Sequence, residues 1–167
     1  LGEYGLDVSI EATEHTHKEM VQYYSSAWDF ANTRAELNGM LVINDDGKIN
    51  IKAPKIESPV FTAKFGKNLL EFEGEIDVQN QIKSAKSSSW KYADQGLAEE
   101  EGSTNLSNPL GGGGSGEWAD ILGQELKFTH TGRVAEQELK QWANMKMMRS
   151  ELSKVRGRAK FQGSELI

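Results

Sequence analysis

An α+β fold is predicted for this chain, because helical and strand-like patterns occur in separate blocks rather than in strict alternation. Two long stretches repeat apolar residues at spacings of three and four, and several short stretches alternate apolar and polar residues at period two. An Asp-Gly pair between two β-rich runs adds a hairpin, which fixes antiparallel strands as part of the architecture.

The first helix is expected over residues 17–38, where Met20, Tyr24, Trp28, Ala31 and Ala35 share one face. Thr16 is the expected N-cap and Glu19 its capping-box partner. Gly39 closes the helix, since a residue without Cβ enters the left-handed region freely. Met40 to Asn44 and Ile49 to Lys52 then flank Asp45-Asp46-Gly47-Lys48, the strongest local hairpin signal in the chain. Pro54 and Pro59 mark the next stretch as connector or sheet edge, because each lacks a backbone donor.

From Leu70 to Gln79 the pattern alternates. Leu70, Phe72, Ile76 and Val78 form one side with Gly74 in register, and Glu71, Glu73, Glu75 and Asp77 form the other. A strand over 82–92 follows, and pairing with the first would bring Lys83, Lys86 and Lys91 near those carboxylates. Residues 94–116 turn to acidic, Ser, Asn and finally Gly-rich composition, which predicts a mobile loop. A short helix over 117–122 and a strand over 125–128 lead to the second long helix, over 135–156. Its stripe runs through Ala135, Leu139, Trp142, Met145, Met148, Leu152 and Val155, with acids near the start and bases near the end. Gly157 is expected to end it, and 158–163 reads as a final strand. The chain divides on this reading into a small α/β subdomain over 1–65 and a larger unit over 66–167.

Composition narrows the function. With 167 residues the chain can bury a useful core. Absence of cysteine excludes disulfides, thiolate metal sites and a Cys nucleophile within it. A net charge of −6 lacks the basic face that nucleic acid requires, so protein partners are expected and nucleic acid is not. No stretch approaches the roughly 18 apolar residues of a membrane span, so no membrane contact is expected. The opening residues have neither an initiator Met nor the order of a signal peptide, which predicts a piece of a longer chain assembled in the cytoplasm.

Residues that could carry chemistry have simpler readings. His15-x-His17 has no third metal ligand at a suitable sequence spacing, so no metal site is expected. His130 lacks a nucleophile in any recognisable motif. The glycine run over 111–116 lacks the Lys-Ser/Thr ending of a phosphate-binding loop. Glu71, Glu73, Glu75 and Asp77 would support hydrolysis only if two faced each other across a cleft, and otherwise form a solvated strand face or an interface. No catalytic residue and no cofactor is expected.

Two blocks carry a family resemblance. Gln22-Tyr23-Tyr24 and Trp28-Asp29-Phe30, running into Arg34-Ala35-Glu36-Leu37-Asn38-Gly39, resemble the VgrG-type spike proteins. So do Glu138-Leu139-Lys140-Gln141-Trp142-Ala143 and Val155-Arg156-Gly157-Arg158-Ala159-Lys160-Phe161-Gln162-Gly163, with Leu69-Leu70-Glu71-Phe72 and Trp90 between the blocks in the family's order. The resemblance implies a non-enzymatic structural piece of a phage-like contractile injection system: a baseplate-hub fold whose antiparallel, barrel-like sheet packs with two long helices. It further implies a homotrimer that docks on the Hcp-type tube of a type VI secretion system among other baseplate components, and export by that machine. A hub or interaction domain of another phage-like tail or extracellular injection particle is the alternative, and a carboxylate-dependent hydrolase a more distant one. On any of the structural readings, Glu71, Glu73, Glu75 and Asp77 are the expected interface residues.

Overall fold

A computed structural model describes residues 2–108, 110–112 and 115–163. Pro109, Gly113 and Gly114, within the stretch expected to be a mobile loop, lie outside the described residues. After a 3-10 turn at Gly2–Tyr4, the order is β1 (Asp7–Ile10), α1 (Ala27–Leu37), β2 (Leu41–Asp45), β3 (Lys48–Lys52), β4 (Leu69–Ile76), β5 (Ser84–Lys91), β6 (Gly96–Glu101), α2 (Ser115–Leu122), β7 (Glu125–His130), α3 (Glu136–Ser153) and β8 (Val155–Phe161). The α+β class holds, but among the described residues no sheet closes into a barrel. The strands form three small sheets, ordered β1-β3-β2, β4-β8 and β6-β5-β7. They are not wholly antiparallel either, since β1 runs parallel to β3 and β7 parallel to β5.

In the first sheet, Asp46 and Gly47 take φ of +46° and +80°. A tight hairpin needs positive φ at both positions, so β2 and β3 pair with Asp45 opposite Lys48. Ile49 and Ile51 of β3 meet Ala35 of α1, with Val8, Met40 and Val42 around them.

Helix α1 is shorter than its periodicity predicts. Ser26, not Thr16, caps it, its Oγ accepting from the Asp29 N–H at 3.1 Å. The preceding stretch leaves Met20, Val21 and Tyr23 exposed, and Tyr24 is fully exposed with a left-handed φ of +49° that an α-helix does not contain. Its other end is as expected: Gly39 N–H bonds Glu36 O at 3.0 Å, and Met40 N–H bonds Ala35 O at 2.8 Å.

The third sheet is the platform for α3. Central strand β5 is built from small residues, with Ala85, Ser87, Ser88 and Ser89 all buried. Their size lets the helix backbone come close, and their hydroxyls find partners: Ser87 Oγ donates to Leu139 O at 2.5 Å, and Ser88 Oγ bonds Thr129 Oγ1 at 2.8 Å. At the end of β6, a Cβ on Gly102 would fall 2.4 Å from the backbone of Ala143, so this approach of strand to helix admits glycine alone. Leu139 is wholly buried against Ala98 and Val134, while Trp142, expected in the core, is only partly buried at the edge of that cluster.

Three further expectations are corrected here. Residues 96–101 of the predicted loop are β6, whose pairing with β5 overrides an acidic composition that is poor for a strand. Helix α3 stops at Ser153 rather than at Gly157, which sits inside β8 opposite Gly74. Strand β4 pairs with β8 rather than with β5. The three lysines find other acids: Lys83 meets Asp120, Lys86 meets Glu101, and Lys91 meets Glu136. Helix α3 also ties the first sheet's helix to the platform, since Gln141 Nε2 donates to Asn38 O at 2.7 Å and Arg149 pairs with Glu36.

Candidate functional site

The expected interface residues sit on the two-stranded ribbon of β4 and β8. The register places Glu71 opposite Lys160, Glu73 opposite Arg158 and Glu75 opposite Arg156. One face of the ribbon is therefore a ladder of cross-strand opposite charges, each rung of a kind that favours pairing. Lys160 Nζ lies 3.3 Å from a Glu71 oxygen. Just past β4, Asp77 accepts from Asn80 Nδ2 at 2.6 Å and from the Asn80 N–H at 3.1 Å, and lies 3.0 Å from Arg156. The acids thus face a basic row in the same chain. That row was visible in the sequence as Arg156-x-Arg158-x-Lys160, the period-two complement of Glu71-x-Glu73-x-Glu75.

The Asn80 side-chain and backbone hydrogen bonds, helped by Arg156, hold the Asp77 carboxyl below the ordinary carboxylate range against a smaller opposing effect of desolvation. Because the folded value is depressed, the stabilisation is present at neutral pH and is lost as pH falls through and below that range. Asp77→Asn should therefore lower the unfolding midpoint at neutral pH, and the gap to the parent should close in acid. Equal midpoints at both pH values would show that the turn does not depend on this charge.

The opposite face of the ribbon is apolar, with Phe72 opposite Ala159, Gly74 opposite Gly157 and Ile76 opposite Val155. The alternation read from the sequence is correct, yet the side expected to be dry is open: Leu70 is 59% and Phe72 67% exposed. The Phe72 ring lies over both glycines, 3.2 and 3.7 Å from where their Cβ atoms would be.

A second cluster joins residues far apart in sequence. His15 and His17, in the segment between β1 and α1, stack edge to face with ring centroids 4.7 Å apart. His17 Nε2 lies 2.9 Å from Arg34 Nη2 on α1 and 3.4 Å from Glu138 Oε1 on α3. The third acidic or imidazole group missing from the local sequence spacing is thus supplied by α3. His130 closes β7, its Nδ1 accepting from the Gly132 N–H at 3.0 Å, and its ring lies edge-on to Trp142 at 5.8 Å.

No described helix is long and apolar enough to cross a membrane. Among solved structures, the 43 kDa tail protein of prophage MuSo2 from Shewanella oneidensis has a similar fold, with a TM-score of 0.61 and 12% identity. The similarity covers 97% of this chain and 47% of that one, so this chain spans about half the length of the tail protein. The fold is thus phage-tail-like. No curated protein matches by sequence. The sequence model of the Alg8 N-terminal domain family matches residues 1–167.

Proposed function

The chain belongs to the Alg8 N-terminal domain family, and we propose that it is a non-enzymatic hub component of a phage-like contractile tail, acting by assembly with protein neighbours. The observation that carries this reading is the β4–β8 ribbon. A two-stranded sheet is marginal by itself in water, and this one leaves Leu70 and Phe72 uncovered on one face. Such a strip of apolar surface marks a contact site. The fold shared with a prophage tail protein supports a setting in a phage-like tail. The finer form of the proposal is a VgrG-like homotrimeric base that docks on an Hcp-type tube of a type VI secretion system. A hub in another phage-like tail or extracellular injection particle uses the same face.

Our proposal puts the interface on the apolar side of β4 rather than on its acidic side. Glu71, Glu73 and Glu75 stand opposite bases of β8, so reversing them to Lys would set like charges across the ribbon and weaken it directly. Leu70→Gln and Phe72→Gln change exposed side chains and should leave folding within about 0.5 kcal/mol of the parent. In the full-length protein, the pair should reduce trimer formation and co-purification with the tube protein. Light scattering and pull-down that match the parent, in a variant folded as the parent is, would sink the ribbon as the assembly surface.

A further inference from the structure

We propose that His15, His17 and Glu138 form a binding site for one divalent transition-metal ion of the zinc class, which pins the segment before α1 to the first turn of α3. This goes beyond the assembly role and does not depend on it. One ligand atom from each residue lies within 4.8 Å of the other two, and all three residues are partly buried. They line a small cavity of about 10 Å³, the space for about one water-sized centre. Two imidazoles and a carboxylate are a donor set that zinc-class ions accept, leaving one coordination position for water. Ligand atoms around such an ion at 2.0–2.1 Å sit roughly 3.3 Å apart, so the cluster needs only a modest side-chain closure.

Arg34 gives the site its second observation. A guanidinium only donates, so at 2.9 Å it fixes His17 Nε2 as the nitrogen with the free lone pair. That lone pair also faces Glu138 Oε1 at 3.4 Å. Arg34 supplies a positive charge beside His17 Nε2. A metal ion takes over that place: His17 Nε2 releases the Arg34 hydrogen bond and coordinates the ion, and the guanidinium swings into the solvent-facing side of the cavity. The ion thus competes with a charge already built into the chain.

The test is calorimetric titration of the chain with zinc chloride, paired with thermal unfolding. One ion per chain should bind, and at a free concentration of about one hundred times Kd the midpoint should rise by about 5–10 °C. His15→Ala, His17→Ala and Glu138→Gln should each weaken binding by more than about tenfold. Arg34→Met, which keeps the aliphatic stem and removes the competing cation, should bind more tightly than the parent. This variant keeps the proposal open to test where a histidine variant fails to fold. Absence of saturable one-to-one binding overturns the site. So does binding that His15→Ala and Glu138→Gln leave unchanged, which would assign the ion to surface carboxylates. Weaker binding by Arg34→Met overturns the displacement.

Discussion

Replacing Lys154 with Met should destabilise the protein by about 3–5 kcal/mol, because it breaks a buried ion pair by removing one partner. Lys154 is wholly buried and Glu151 nearly so, their charged groups 3.4 Å apart at the end of α3. Glu151 Oε1 also accepts from the Asn108 N–H at 2.7 Å, and Lys154 Nζ donates to Asn108 O. The pair therefore clamps the connection after β6 to the helix, and each charge is satisfied by the other and by backbone. A buried pair contributes little beyond an apolar replacement, but half of one is costly. The double variant Lys154→Met, Glu151→Gln should accordingly recover most of the loss, since Gln keeps an oxygen for the Asn108 N–H. Urea midpoints measure both. A single variant within about 1 kcal/mol of the parent, the loss typical of an ordinary point change, would show that water reaches the site.

The same pair explains why the end of α3 was not legible. Lys154 still has helical φ and ψ, and Val155 keeps the stripe's spacing, so local pattern carries the helix onward to Gly157. What stops it is tertiary: Lys154 is held inward, and Asp77 N–H takes the Lys154 carbonyl at 2.9 Å, which launches β8 alongside β4. The hairpin of β2 and β3 was legible because its whole cause, Asp46-Gly47, is local. The strands β4, β5 and β7 were legible for the same reason, as short runs with turn residues between them. Their partners were not. The pairing of β4 with β8, the parallel addition of β1 to β3 and the placing of β6 on β5 are decided by which distant surfaces remain to be covered. Of the candidate sites, the acidic row of β4 was readable but its basic complement was not connected to it. The two histidines were readable but Glu138, brought to them by α3, was not.

The second large effect is expected at Leu139, where truncation to Ala should cost about 2–5 kcal/mol. Sequence alone points to Trp142 instead, the largest residue of the α3 stripe. The helix is rotated so that Leu139 and Ala143 face the platform, while Met145 turns toward Gly39 and Trp142 covers the rim and meets His130 edge-on. Cavity cost follows the volume that stays empty after relaxation, not the size of the side chain removed. Around Leu139 little can relax: its own carbonyl is held by Ser87 Oγ, and one turn later the Ala143 backbone abuts Gly102. At the rim, neighbouring chain and water can fill the space that Trp142 leaves. Leu139→Ala should therefore lower the urea midpoint more than Trp142→Ala, inverting the order of side-chain size. If Trp142→Ala proves the more damaging, the buried face of α3 is centred on Trp142. The small residues of β5 would then not be what brings the helix to the sheet.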